Sequence, residues 1–256
     1  MTPTPAAARI PETRIPDQAE IPEEERTAVT TFDLATTPLR DVNAALQGVA
    51  DGSNETAFEI LNPRGAHAVA VGLDKPVAVA IHGSVGYYCG GMNSEAEITV
   101  HGSAGPGVAE NMMSGVVHVT GDASQYAGAT GRGGLLVIDG NAASRCGISM
   151  KGIDIVVRGS IGHMSAFMAQ SGNLVVLGDA GDALGDSLYE ARLFVRGTVK
   201  SLGADCIEKE MRPEHLEILA GLLERAGVTD VAPEEFRRYG SARKLYNFNI
   251  DNADAY

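Results

Sequence analysis

Seven glycines recur at a fixed spacing of 19 residues, and this period constrains the fold more than any other feature of the chain. They are Gly83, Gly102, Gly121, Gly140, Gly159, Gly178 and Gly197. No insertion or deletion interrupts the series. A fixed period of about 20 to 50 residues is typical of repeat architectures, in which each unit buries its apolar surface against its neighbours. The sequence therefore predicts a solenoid.

Two aliphatic columns appear when the repeats are aligned on these glycines. The column four residues before the glycine reads Val79, Ile98, Val117, Leu136, Ile155, Leu174 and Leu193. The column two residues before it reads Ile81, Val100, Val119, Ile138, Val157, Val176 and Val195. Because residues two apart on a strand point the same way, each repeat is predicted to contain one short strand with this pair facing inward.

The other columns carry small or polar residues. The outward column one residue before the glycine reads His82, His101, Thr120, Asp139, Arg158, Leu177 and Arg196. A small polar and then a small apolar residue follow each glycine, and two repeats read GSVGYYCG and GDAGDALG. Glycine adopts positive φ and permits close backbone approach, which suits sharp corners that stack on one another.

The period excludes several alternatives. A βαβ unit takes about 30 residues and a propeller blade about 40, and no hexapeptide sub-period appears. We therefore predict an all-β fold, a right-handed single-stranded parallel β-helix of about seven 19-residue coils. Strands stacked about 4.8 Å apart would make a prism on the order of 30 Å long.

The flanks of the repeat differ from it, which predicts three regions. Residues 1–57 comprise a proline-rich extended arm over residues 1–27 and a capping helix opened by Pro38, with Leu39, Val42, Ala45 and Leu46 at helical spacing. Residues 58–207 form the β-helix. Residues 208–256 comprise a second helix after Pro213, with Leu216, Leu219, Leu222 and Leu223 on one face, and a basic, aromatic docking tail.

One outward column changes character along the prism. Three residues before the glycine, the first three coils carry Ala80, Thr99 and His118, and the last four carry Val137, Val156, Val175 and Phe194. We call these last four residues the apolar stripe. An apolar stripe on the outside of a prism needs a cover. Either the helix after Pro213 folds back over it, or another subunit covers it.

Composition limits the partners and the compartment. The formal net charge is −13, so nucleic acid and anionic membranes are not expected partners, because both require a basic footprint. No run of 18 apolar residues and no signal peptide is recognisable. Cys89, Cys146 and Cys206 form no CxxC motif, and Cys89 and Cys146 lie three coils apart, too far for a disulfide. These features predict a cytoplasmic protein.

The search for chemistry yields few candidates. His82, His101 and His118 resemble a ligand set, but no cysteine or carboxylate joins them at the spacing of known metal sites, and solvated histidines are commoner. Asp139 and Arg158 are neighbours in the outward column and predict a surface ion pair. We therefore predict no catalytic, cofactor-binding or metal-binding residue. The alternative is an independent β-helix enzyme acting on a polysaccharide or acyl substrate.

The coils resemble a known family. Aliphatic-x-aliphatic-x-Gly followed by GxxGxxxG corners is similar to the C-terminal β-helix domain of the glutamate synthase large subunit. Asn62-Pro63-Arg64-Gly65-Ala66 resembles the N-x-R-x-x-G segment that leads into that domain. The resemblance covers about residues 60–207, and Ser124, Ala143 and Lys200 depart from its corner glycines. A related β-helix occurs in a subunit of formylmethanofuran dehydrogenase, which is a further alternative.

The proline-rich arm and the tail RRYGSARKLYNFN resemble the stand-alone β-helix subunits of N-methyl-L-glutamate synthase. That resemblance implies a structural subunit within a hetero-oligomer. Its expected partners are an amidotransferase-like subunit and a glutamate synthase-like subunit that carries FMN and an iron–sulfur cluster. The resemblance places transferase and oxidoreductase chemistry in those partners, and no catalytic residue or cofactor in this chain.

Overall fold

The computed structural model describes residues 29–242, and the predicted arm over residues 1–27 lies outside them. Eleven strands form one sheet in the order β1-β2-β3-β4-β5-β6-β7-β8-β9-β11-β10. The strands are β1 (Val29–Asp33), β2 (Ala57–Leu61), β3 (Ala78–His82), β4 (Glu97–His101), β5 (Val116–Val119), β6 (Leu135–Ile138), β7 (Lys151–Val157), β8 (Ser171–Val176), β9 (Arg192–Val195), β10 (Cys206–Lys209) and β11 (Arg237–Ser241). The α-helices of the described part are α1 (Leu39–Gln47) and α2 (Pro213–Arg225), and a 3₁₀ turn spans Pro233–Glu235.

Strand register confirms the predicted parallel β-helix of about seven coils. From β3 to β9 the strands pair in parallel, and Val79 pairs with Ile98 and Ile98 with Val117, each 19 residues on. All side chains of the two aliphatic columns are exposed by 2% or less. A second line of parallel bridges joins the small apolar residues of successive corners, from Val85 to Val199. The period therefore sets both the strands and the corners.

Helix α1 lies over the first loop of the β-helix. The Nδ2 of Asn43 donates to the carbonyl of Ala68 at 2.8 Å, and the Oδ1 of Asn43 accepts from the backbone N–H of Ala70 at 3.0 Å. Val42 and Leu46 are fully buried against the core. The helix thus satisfies backbone groups that the first coil would otherwise leave unpaired, which is the capping role predicted for it.

At the other end the parallel stacking stops. Strand β11 turns back between β9 and β10 and pairs antiparallel with both. Arg237–Ser241, at the start of the predicted docking tail, therefore belong to the chain's own sheet. The remainder of that tail, from residue 243, lies outside the described residues.

From Gly102 to Gly197 the glycines of the 19-residue series are required by close stacking on the backbone of the preceding coil, whereas a Cβ at Gly83 would meet the ring of Pro63 at 3.0 Å. A Cβ at Gly159 would lie 2.6 Å from the carbonyl oxygen of Gly140, and a Cβ at Gly178 would lie 2.7 Å from the carbonyl carbon of Gly159. A second column, seven residues further on, requires left-handed backbone instead of a missing Cβ. Its residues adopt φ between 56° and 69° and include two alanines. They are Gly90, Ala109, Gly128, Gly147, Ala166 and Gly185.

A ladder of side-chain hydrogen bonds joins the coils at the polar position after each glycine. Each side-chain oxygen accepts from the backbone N–H of the equivalent residue in the next coil, and the donor–acceptor distances run from 2.7 to 3.2 Å. The ladder comprises Ser84, Ser103, Asp122, Asn141, Ser160, Asp179 and Thr198. These bonds explain why this column holds only short polar residues.

The last step of the ladder makes stability depend on pH. The backbone N–H and the hydroxyl of Thr198 both donate to Asp179, and they hold the pKa of that carboxyl below its ordinary value of 3.8. A lowered folded-state pKa contributes stability above the unfolded value, and that stability is lost as pH falls through the folded value. Asp179→Asn keeps the acceptor oxygen and removes the charge.

We expect the difference in free energy of unfolding between wild type and Asp179→Asn to be constant near neutral pH. Below about pH 4 the difference should shrink, because the wild-type carboxyl then takes up a proton on unfolding. Urea unfolding between pH 7 and pH 2 measures it. A difference that stays the same across the acid range would show that the Asp179 charge contributes nothing through this ladder.

Candidate functional site: the outer face of the sheet

The outer face of the sheet has two halves with different side chains. Its middle column runs in register from Ala80 through Thr99 and His118 to Phe194. The half made by β6–β9 carries the apolar stripe. We call the half made by β1–β4 the open half, because α2 does not reach it.

Helix α2 covers the apolar stripe. Val137 is 4% exposed, and Val156, Val175 and Phe194 are fully buried. Their packing partners include Leu219, Leu222 and Leu223 of α2, together with Phe236 from beyond the helix. Of the two covers that the sequence left open, the structure selects the chain's own helix. Leu216 is only partly buried, and His215 takes the buried place in the first turn.

Charged side chains fix the C-terminal end of α2 on the sheet. The Nη2 of Arg158 donates to the carbonyls of Ala226 and Gly227, at 2.9 and 3.1 Å. Arg225 forms an ion pair with Asp154 at 3.0 Å. A cation beside the last carbonyls of a helix is stabilising, because these groups carry the negative end of the helix dipole. Arg158 therefore links the β-helix to its cover.

Asp139 contacts both Arg158 and a histidine, His118. The Nε of Arg158 lies 3.1 Å from Asp139 Oδ1, so the predicted ion pair is present. The Nε2 of His118 lies 2.9 Å from Asp139 Oδ2. A His–Asp pair serves nucleophilic catalysis only when a hydroxyl or thiol lies on its other side. Here the chain of contacts continues to the carbonyls of α2, which favours a packing role.

His82 and His101 form a pair of their own. The rings of His82 and His101 stack with centroids 5.2 Å apart, and His82 Nε2 lies 3.6 Å from Glu59 Oε1. Within residues 29–242, no group of three or more histidine, cysteine or carboxylate side chains is arranged to hold a metal ion. The ligand-like appearance of the three histidines in the sequence thus comes from two separate pairs.

The cysteines are core residues. Cys89 and Cys146 are fully buried, and all three thiols are free. Burial raises the pKa of each of them to about 12. Thiols with such a pKa are protonated at neutral pH and are therefore poor nucleophiles and poor metal ligands.

The open half contains a shallow hollow of about 280 Å³. Its lining includes small residues, the carboxylates of two glutamates and one histidine: Ala57, Ala78, Ala80, Thr99, Glu59, Glu97 and His101. Val29, at the edge of the sheet, also lines it and is 53% exposed. In the column of the apolar stripe the open half carries Glu59, Ala80 and Thr99, and none of these packs against α2.

A second exposed surface lies on the loops of the first two coils. Tyr87, Met92 and Met113 are each 47–49% exposed, and we call them the Tyr–Met patch. The neighbouring Tyr88 is held by Asn111, whose Nδ2 donates to its hydroxyl at 3.1 Å. This patch could not be predicted from the sequence, because loop methionines have no periodic signal that distinguishes exposed from buried positions.

No helix in residues 29–242 has the length and apolar character that a membrane crossing requires.

The repeat, the stacked corners and the uncovered surfaces define a solenoid protein of the parallel β-helix class. Over 225 residues the chain is 80% identical to Protein GlxC of Rhizobium meliloti (strain 1021). The matched region covers 88% of this chain and 99% of that protein. The chain belongs to the family of Protein GlxC. No family model matches it, and no solved structure does.

Proposed function

We propose that the chain is a non-catalytic structural subunit that assembles a glutamate synthase-like multi-subunit flavoenzyme. The observation that carries the proposal is the Tyr–Met patch. Tyrosine and methionine are enriched in protein–protein interfaces. Met92 and Met113 lie on neighbouring coils, where the backbone N–H of Met113 donates to the carbonyl of Asn93, and Tyr87 is on the same loop as Met92. Half-exposed side chains of these types favour a contact surface. Helix α2 covers the apolar stripe, whereas the side chains of the Tyr–Met patch stay half-exposed within the part of the chain that the structure describes.

The specific enzyme we propose is N-methyl-L-glutamate synthase, which converts methylamine and L-glutamate to N-methyl-L-glutamate and ammonia. The support is the resemblance of the GxxGxxxG coils, of the segment Asn62–Ala66 and of the tail. The partners are an amidotransferase-like subunit and a subunit with FMN and an iron–sulfur cluster. This chain binds neither cofactor, and the complex is cytoplasmic.

The structure suits a spacer between two such sites. Backbone pairing on the sheet side, bridges at the corners and the polar ladder connect every coil to the next one. A solenoid whose coils are hydrogen-bonded to one another on several sides resists bending, because bending would stretch the hydrogen bonds on the outer side of the curve. A rigid prism keeps its partners at a fixed separation, which a flexible linker does not.

The proposal is tested by assaying the purified chain and the assembled complex side by side. The isolated chain should not turn over methylamine, L-glutamate or glutamine, and activity should appear when both partner subunits are added. Turnover by the isolated chain would refute the structural role and favour an independent β-helix enzyme. Asp139→Asn would then show whether the His118–Asp139 pair is responsible.

A further inference from the structure

We infer that the open half of the sheet face binds a basic helix of a partner subunit. The inference rests on the proposed assembly role and adds the place and the chemistry of one contact. It concerns a surface different from the Tyr–Met patch.

In the covered half, the outer face of the sheet packs against a helix. Helix α2 has 13 residues and lies along the outer face of the four strands β6–β9. The same face continues without a break across β5 into the four strands of the open half. A second helix of about the same length therefore fits beside α2 on a continuous surface.

The side chains of the two halves differ in size, which sets what the occupant must contribute. In the covered half Val156, Val175 and Phe194 fill the space beneath α2. In the open half the same column holds Glu59, Ala80 and Thr99, and Ala57 and Ala78 of the neighbouring column also line the hollow. An occupant thus has to bring large side chains of its own to reach van der Waals contact.

Charge selects a basic occupant. Glu59 and Glu97 line the hollow, as does His101. Among residues 29–242, Glu97 forms no ion pair, and the ion pair of Glu59 is the 3.6 Å contact with His82. Lysine or arginine side chains flanking an apolar helix face would pair with these carboxylates.

The chain's own segments outside residues 29–242 are less suited to this surface by charge or by point of attachment. The segment before Val29 carries three arginines against six carboxylates, so it would bring like charge to an acidic border. The segment after Ala242 starts at the far end of the prism, where the N–H of Ala242 donates to the carbonyl of Asp205. A partner subunit is therefore the occupant that the surface favours.

The experiment uses the purified complex with the full-length chain. Glu59→Lys/Glu97→Lys should weaken the affinity of the partner about tenfold or more, since like charges would then meet across the contact. Glu217→Lys/Glu224→Lys makes the same change of charge on the exposed side of α2 and should leave the affinity within about twofold. Circular dichroism melts check that all variants are folded.

A photo-crosslinking residue at Ala80 identifies the occupant. Crosslinks to a lysine- or arginine-bearing helix of a partner subunit support the inference. Crosslinks to this chain itself, or equal affinities of the two double variants, would overturn it. If the wild-type chain forms no complex at all, the proposed function and this inference are both wrong, whereas a complex that forms with equal affinities for the two double variants overturns this inference alone.

Discussion

Val175→Asp should destabilise the isolated chain by about 4 kcal/mol or more, which is enough to lower its melting temperature by about 10 °C or to prevent folding. Val175 is fully buried between the sheet and α2. A carboxylate there would have no water and no cation beside it, and burying an unpaired charge is among the most destabilising single changes. Thermal and urea unfolding of the monomeric chain measure the effect.

Thr99→Asp is the matched control. Thr99 stands in the same outward column, in register with Val175 through the intervening strands, but in the open half. Its substitution should cost about 1 kcal/mol or less, because the new carboxylate stays hydrated. If the two variants lost the same stability, α2 would not be the cover of the stripe in solution.

Gly159→Ala should cost about 2–3 kcal/mol, although it adds only one methyl group. That methyl would lie 2.6 Å from the carbonyl oxygen of Gly140, so two coils would have to separate locally. Overpacking against the backbone is less easily relaxed than overpacking against a side chain. Equilibrium unfolding in urea, with the slope compared with that of wild type, gives the difference in free energy.

Gly90→Ala provides the comparison. Gly90 has a φ of 64°, yet a Cβ there would meet its nearest neighbour, Val117, at 3.3 Å. Ala109 and Ala166 occupy the same column with φ of 56° and 57°. We expect a cost below about 1 kcal/mol, since the strain of a left-handed alanine is partly offset by the entropy lost from the unfolded chain. A larger loss at Gly90 than at Gly159 would contradict this assignment of the two glycine columns.

The coils could be predicted from the sequence because a strict period reports directly on stacking. Residues 19 apart must become neighbours, so the repeat gives the register of the strands. The residue types in each column then show which side chains face inward and which face outward. The apolar stripe followed for the same reason. Its cover was predicted only as an alternative, since amphipathicity gives a helix a buried face but does not say which surface that face meets.

Other features depend on contacts that no local pattern encodes. Arg158 and the carbonyl of Ala226 are 68 residues apart, and nothing in the sequence pairs them. Strand β11 contains Gly240 and two arginines, which do not predict a strand within a core sheet. For the polar ladder, the sequence shows only a preference for short polar residues. The hydrogen bonds themselves could not be predicted, because their donors are backbone N–H groups, which every residue except proline has.

The central claim is that this chain is one structural subunit of a larger flavoenzyme. Native mass spectrometry of the complex purified through a tag on this chain, at its natural expression level, tests it most directly. The account predicts a defined mass that contains two other kinds of subunit, one of which bears FMN, together with a flavin absorption spectrum. A colourless preparation containing this chain alone, with activity of its own, would contradict the account.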